Sequence, residues 1–337
     1  MTQGVSANSF PRKGRMKIVF PDRKTLGEDL DLSGFNRFGD VVMYDFTKPE
    51  DMPERVRDAD ILILNKALVN EQTCGCAKHL KLICVTATGT NNLDKEFLNR
   101  RGIAWRNVAG YSTESVVQHT FAMLFYLMEH LPYYDRYVKS GSYVNDSTFT
   151  HFERHFHELH GMNWGIIGLG AIGSRVGEIA QCFGCQVRYF STSGRNHSSI
   201  FREVDFDTLL AASDILSVHA PLNEQTKGLL NKDAFRRMKS SAILINVGRG
   251  PIIVESDLRD ALNAGKIAAA GLDVLETEPM AADNPLREVL DPEKILITPH
   301  IAWATVEARS RLMKIIEDQV SVLHDQWKRK RNAEKTH

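Results

Sequence analysis

From Met16 onward, short runs of β-branched and aliphatic residues recur at regular intervals: Ile18–Phe20, Val41–Tyr44, Ile61–Leu64, Leu82–Val85 and Ile103–Trp105. Between them lie Met52–Asp58, Gln72–Leu80 and Asp94–Arg101, rich in Glu, Arg, Lys and Leu, which read as short helices. Strand and helix in alternation predict a parallel sheet covered on both faces. A longer helical stretch follows from Ser112 to Tyr134, opened by Ser112-Thr113 as capping residues. Val116, Val117, Thr120, Phe121, Leu124, Leu127 and Met128 give it a wide apolar arc, so it is expected to pack between two bodies and to carry the chain from a first domain into a second. The strand pattern then resumes at Trp164–Ile167, Val187–Phe190, Ile215–Val218, Ala242–Val247, Ala268–Val274 and Ile295–Thr298. Continuous apolar strands such as Ala242-Ile243-Leu244-Ile245 suit a sheet buried on both faces. A final helix is expected from Thr305 to Trp327, with the basic stretch 328–337 left as a disordered tail. The fold class is α/β, with two doubly wound domains.

The chain has 337 residues, which suits two domains of ordinary size, and its 42 Lys and Arg balance its 42 Asp and Glu. A balanced surface offers no basic stripe for phosphate backbones, so nucleic acid is not an expected partner. The apolar run Phe121–Met128 falls far short of the roughly 20 residues that a membrane helix needs, and no membrane partner is expected. Residues 1–15 lack an apolar core and read as a disordered extension rather than a secretory signal. Five cysteines, an odd number, suggest reduced thiols in the cytoplasm. Cys182-Phe183-Gly184-Cys185 and Cys74-Gly75-Cys76 have no second pair to complete a zinc site, and His157-Glu158-Leu159-His160 is one residue short of the zinc spacing. No metal is expected.

Chemistry enters at Gly168-Leu169-Gly170-Ala171-Ile172-Gly173, which follows the strand Trp164–Ile167 and opens a helix with an apolar face at Ile172, Val176, Ile179, Ala180 and Phe183. This is the context a dinucleotide fingerprint requires. Gly168 makes the tight turn, Gly170 lets a pyrophosphate approach, and Gly173 lets the helix lie close on its strand. The phosphates then meet free N–H groups at the helix N-terminus. In a parallel sheet, ligands collect at the C-terminal strand ends. The residues there are His219-Ala220-Pro221, Asn246-Val247-Gly248-Arg249-Gly250, Asp273, Glu278 and Thr298-Pro299-His300. Arg249, flanked by glycines, suits bidentate capture of a carboxylate, with a structural ion pair as the alternative. His300 suits proton exchange near neutrality, with plain packing as the alternative. Glu278 is either a partner for such a histidine or a solvated loop carboxylate.

Taken in order, the Gly168–Gly173 turn, Val247–Gly250, Leu272-Asp273-Val274 through Glu278-Pro279, and Thr298-Pro299-His300 resemble the signatures of the D-isomer-specific 2-hydroxyacid dehydrogenases. The resemblance runs from Met16 to about residue 325. It implies a Rossmann NAD(P)-binding domain over 111–304 and a discontinuous, flavodoxin-like substrate domain over 16–110 and 305–327, with the active site in the cleft between. It implies Arg249, Glu278 and His300 as the catalytic set, and Asp273 as the residue that orients the nicotinamide. Thr88, Gly89 and Thr90 would bind substrate together with Arg249 and His300. In such a site His300 gives the proton, Arg249 anchors the carboxylate, and Glu278 holds the imidazole, its negative charge favouring the protonated ring. Thr88–Asn92 and Asn107–Thr113 most resemble glycerate dehydrogenases, also called hydroxypyruvate reductases. Hydroxypyruvate or glyoxylate is therefore the expected small 2-keto acid.

One position departs from the usual NAD pattern. Where a carboxylate would meet the adenosine ribose, the chain has Ser191-Thr192-Ser193-Gly194-Arg195. These hydroxyls and the cation lead to the expectation that NADP(H) is accepted and favoured, with NAD(H) the alternative. The aromatic stretch Tyr133–Phe156 resembles the family's dimer-forming loop, so a homodimer is expected. A rival reading on the same fold is a nicotinamide-dependent sensor or co-repressor-like binding protein.

Overall fold

The computed structural model describes residues 15–335. The chain divides into two compact units, Met1–Ser112 with Thr305–His337, and Thr113–Ala304. The extension expected over 1–14 lies outside the described residues; Arg15, counted with it, is described and donates from Nη2 to the Gly39 carbonyl at 3.0 Å.

The first unit holds β1 (Met16–Phe20), β2 (Gly39–Met43), α1 (Met52–Val56), β3 (Ile61–Leu64), α2 (Glu71–Cys74), β4 (Leu82–Val85), α3 (Lys95–Arg101) and β5 (Ala104–Arg106). Its sheet is parallel throughout in the order β2-β1-β3-β4-β5, the flavodoxin-like order expected. Every residue of β3 and β4 is buried, which is why both read as unbroken apolar runs. Local chemistry sets the helix ends. Asn70 and Thr73 form a reciprocal capping box on α2, Asp94 accepts from Phe97 N–H to start α3, and Gly102 in the left-handed region ends it. The C-terminal helix, Val306–Lys335, is tied to this unit by Arg309 on Asp29, Arg311 Nε on the Tyr111 carbonyl and Gln319 Nε2 on the Asn107 carbonyl. It runs past Trp327, so the tail expected to be disordered is helical as far as Lys335. Residues 328–335 contain neither Gly nor Pro, and Lys, Arg, Ala and Glu are good helix formers.

The second unit begins with α4 (Thr113–Met128) and α5 (Leu131–Lys139). The single helix expected from Ser112 to Tyr134 is therefore two. His130 takes φ +50°, and Pro132 suits only the first turn of a new helix. There follow β6 (Asn163–Ile167), α6 (Ala171–Cys182), β7 (Gln186–Phe190), β8 (Arg202–Glu203), α7 (Phe206–Ala212), β9 (Ile215–Val218), α8 (Lys232–Arg237), β10 (Ile243–Asn246), α9 (Glu255–Asn263), β11 (Ala269–Leu272) and β12 (Ile295–Ile297). The sheet is parallel in the order β12-β11-β10-β9-β6-β7-β8, the doubly wound order of a Rossmann fold. The two-residue edge strand β8 is too short to leave a hydrophobic pattern in the sequence. α4 lies on β10, β11 and α6, and its apolar side chains join Trp164, Ile166, Val176 and Tyr189 in one core. The wide arc thus finds its cover inside the second unit, where packing between two bodies was expected. Among the described residues no helix is long and apolar enough to cross a membrane.

Candidate active site

Three strand ends meet at the glycine turn. Ile167 is level with Phe190 of β7 and Val218 of β9, so the next residues, Gly168, Ser191 and His219, stand side by side. Gly168 N–H donates to the Phe190 carbonyl and His219 N–H to the Ile167 carbonyl. Consecutive strands leave β6 on opposite sides here, which makes this the switch point of the sheet, where an open α/β fold binds its ligand.

The residues fit a dinucleotide. Gly168 has φ +91°, and a Cβ there would stand 2.7 Å from the Ala220 backbone; at Gly173 it would stand 2.3 Å from the Gly168 carbonyl oxygen. At Gly170 the same test meets nothing within 4 Å, so this exposed residue leaves room for a ligand against the backbone. No side chain caps the N-terminus of α6, so its first N–H groups, at Ala171 and Ile172, have no side-chain oxygen from Gly170. On either side, Ser191 Oγ and both ring nitrogens of His219 are shut off from solvent without a hydrogen-bond partner. Buried polar atoms are rarely left so unless something else completes them. Burial drives the His219 imidazole down to about 3 from its ordinary 6.5, so the ring is neutral.

Beyond Ser191 the loop is exposed at Ser193 and Arg195, with Thr192 half-buried. Ser193 Oγ accepts from Arg195 N–H at 3.3 Å. The far side of the loop is fixed by Tyr189, whose hydroxyl accepts from Ser198 N–H at 3.1 Å and donates to Glu203 at 3.0 Å. Pro221 is exposed and its carbonyl accepts from Thr226 Oγ1. A Cβ on Gly248 would stand 3.1 Å from the Ala220 carbonyl oxygen, so the loop after β10 passes close to the one after β9.

Arg249 follows β10 and buried Val247. Its loop is tied by fully buried Asn246, which accepts from Gly248 N–H and donates to the Arg249 carbonyl, while Arg249 Nη1 donates to the Gly248 carbonyl at 2.7 Å. Gly250 presses on the backbone of Leu275, where a Cβ would come within 1.9 Å of the carbonyl carbon. The arginine loop therefore rests directly on the segment that leads to Glu278. One oxygen of Glu278 accepts from Leu275 N–H at 3.0 Å, and the other is 2.7 Å from His300 Nδ1. The pair is partly open, with side-chain exposures of 26% for His300 and 32% for Glu278. His300 adopts φ +56°, a left-handed backbone uncommon outside glycine.

Both loops that carry this pair are pinned by buried carboxylates. Asp273, 1% exposed, accepts from Thr298 Oγ1 and Ile301 N–H on one oxygen and Ala302 N–H on the other. Glu255, 5% exposed, accepts from Glu276 N–H and from Asn284 Nδ2, both at 2.7 Å. Asn246 was among the strand-end residues of the sequence, whereas Glu255 and His119, which reaches Thr298, were not singled out there. In the first unit, Thr88, Gly89 and Thr90 form the loop after β4; Thr88 Oγ1 donates to the Val108 carbonyl, and Asn107 Nδ2 to the Thr88 carbonyl.

Residues 121–302 match the family described as D-isomer specific 2-hydroxyacid dehydrogenase, NAD binding domain. A hydroxypyruvate reductase of Blautia hydrogenotrophica is 40% identical over 308 residues, covering 89% of this chain and 94% of that protein. An acyclic imino acid reductase, solved with NADPH and D-Arg, superposes with a TM-score of 0.79 at 28% identity, covering 92% of this chain and 98% of the other. A D-lactate dehydrogenase from Aquifex aeolicus, solved with NAD and lactic acid, does so with a TM-score of 0.79 at 26% identity, covering 92% and 96%. The chain belongs to the D-isomer-specific 2-hydroxyacid dehydrogenases, NAD(P)-dependent oxidoreductases that interconvert 2-hydroxy and 2-keto acids.

Proposed function

We propose that the protein reduces a small 2-keto acid, hydroxypyruvate or glyoxylate, to the D-2-hydroxy acid, with NADPH favoured over NADH. The observation that carries this reading is the His300–Glu278 pair. With Nδ1 held 2.7 Å from Glu278, Nε2 is the nitrogen left to donate a proton to the carbonyl oxygen of a substrate. Glu278 is itself fixed by Leu275 N–H, so it sets both the tautomer and the direction of the ring. Arg249 retains donors beyond the one given to Gly248 and takes the substrate carboxylate as a bidentate fork. Thr88, Gly89 and Thr90 are assigned to substrate binding as well. Gly168, Gly170, Ala171, Ile172 and Gly173 cradle the pyrophosphate. His219, Pro221, Val247, Gly248 and Asp273 complete the cofactor site. A reduced nicotinamide bound there supplies a hydride to the carbonyl carbon.

The NADPH preference rests on Ser191, Thr192, Ser193 and Arg195. No carboxylate stands in this segment to repel a 2′-phosphate, and Ser191 Oγ is buried and unpartnered. The homodimer is proposed on α5 and the segment after it, where Leu131, Val144, Phe149 and Phe152 are 54%, 83%, 88% and 76% exposed, an apolar surface that a second copy would cover. Its test is the mass by light scattering at micromolar concentration. Five free cysteines support a cytoplasmic setting.

The reading is tested by initial rates with hydroxypyruvate, glyoxylate, pyruvate and bulkier 2-keto acids, each with NADPH and NADH. The two smallest polar acids should be the best substrates and the bulky ones the worst. Cofactor binding with no turnover of any acid would replace the enzyme with the sensor.

A further inference from the structure

α4 meets the loop that carries His300 at two points one helical turn apart. Ser115 Oγ donates to the Ala302 carbonyl at 2.6 Å, and His119, four residues on and on the same face, sets Nε2 3.0 Å from Thr298 Oγ1. The Thr298 hydroxyl has a single proton, and it goes to Asp273 Oδ1 at 2.6 Å. The hydroxyl is therefore left to accept from the histidine, which requires the proton of His119 on Nε2. The same nitrogen is 3.5 Å from Asp273 Oδ1. Asp273 in turn receives the N–H groups of Ile301 and Ala302. His300 lies between these tie points with φ +56°. A non-glycine residue stays in that region only where its surroundings over-determine it, and Thr298 on one side of His300 and Ile301 and Ala302 on the other are all tied to Asp273.

We infer that His119 is a positioning residue of the reaction: its Nε2–H fixes the Thr298 hydroxyl on Asp273 and so holds the 298–302 loop, and His300 with it, where the imidazole delivers its proton. The inference rests on His300 as the proton donor. A histidine that only filled space would be replaced without loss by leucine. A donor holding a loop would not be, because a misplacement of about 1 Å at a reacting group costs up to about a hundredfold in rate.

The test is steady-state kinetics of keto-acid reduction on a small set of variants, with NADPH affinity measured separately by fluorescence. His119→Leu should lower kcat about ten- to a hundredfold, with the keto-acid KM and the NADPH Kd close to wild type. His119→Gln, which keeps an N–H near the same place, should recover most of the loss. Thr298→Val should repeat the defect and Thr298→Ser should not. The double variant His119→Leu/Thr298→Val should be no slower than either single change, since the two act as one unit. Unchanged kcat in His119→Leu, an additive double variant, or no recovery in His119→Gln would each overturn the inference. If His119→Leu does not fold, the threonine pair decides: equal kcat in Thr298→Val and Thr298→Ser overturns it. His300→Ala belongs to the same series. An active His300→Ala removes the proton-donor reading itself, whereas an inactive one beside a fully active His119→Leu removes only the positioning role.

Discussion

Asp22, just past β1, and His219, just past β9, are both shut-in titratable groups at the C-terminal end of a parallel strand, yet their surroundings differ. The Asp22 carboxylate accepts the N–H groups of Asn65, Lys66 and Ala67, and Asn92 Nδ2 closes the same loop by donating to the Asn65 and Ala67 carbonyls. Burial pushes the Asp22 carboxyl above its ordinary value, opposed by those N–H groups. His219 has burial and nothing to oppose it, and Ser191, at the strand end on the other side of β6, is equally without a partner. At the strand ends of the first sheet no described side chain is left in that state. A strand end whose polar groups are spent on its own loop is a structural joint. One whose groups are buried and unspent is built for something that is not part of the chain.

Substitutions on the two sides of this contrast should fail in different ways. The largest effect belongs to the chemistry: His300→Ala should lower kcat by about 10² to 10⁴, the usual worth of a placed general acid, while cofactor affinity holds. An activity within tenfold of wild type would remove His300 from its role. Asp22→Ala strands three N–H groups, one buried and two part-buried, and should destabilise the fold by about 3 kcal/mol, seen as a lower Tm or denaturant midpoint, with the NADPH Kd unaffected. A stability near wild type would show that the joint in the first unit is not structural. In the second unit the pattern should invert. Ser191→Asp should lower the NADPH/NADH ratio of kcat/KM by about tenfold or more, the order of a like-charge contact, and Arg195→Ala, at an exposed position, should lower it less and leave Tm nearly unchanged. A wild type strongly selective for NADH, with a ratio insensitive to Arg195→Ala, would show that the segment has been misread.

A further effect is in the pH dependence of stability. Below its ordinary 6.5 the unfolded chain binds a proton at His219 that the folded chain refuses until about 3, so this group contributes stability above 6.5 that is lost as pH falls through that window. In cofactor-free protein, His219→Gln should therefore lose less Tm between pH 6.5 and 4.5 than the wild type does. Parallel curves would mean that the ring is not sealed.

Much of this contrast was legible in the sequence because local chemistry imposed it. The glycine turn at 168–173, the unbroken apolar strands, and Arg249, Glu278 and His300 after strand ends each follow from neighbours in the chain. What escaped depends on distant partners. His119 stands between Gln118 and Thr120 with nothing local to set it apart, and its partner Thr298 is 179 positions away. Glu255 stands in the first turn of α9, and the partners that the fold brings to it, Glu276 N–H and Asn284 Nδ2, lie 21 and 29 positions away. The break at His130 was signalled by Pro132, which the apolar periodicity on either side outweighed.

The central claim is that the unspent strand ends of the second unit serve reduction of a 2-keto acid to one enantiomer, with protonation by His300. Its most direct test is to mix the protein with NADPH and hydroxypyruvate, follow oxidation of the cofactor, and determine the configuration of the glycerate formed by chiral chromatography. The account predicts D-glycerate, one molecule for each NADPH consumed, and no product from His300→Ala on the same timescale. L-glycerate, or product formed as fast by His300→Ala, would contradict it.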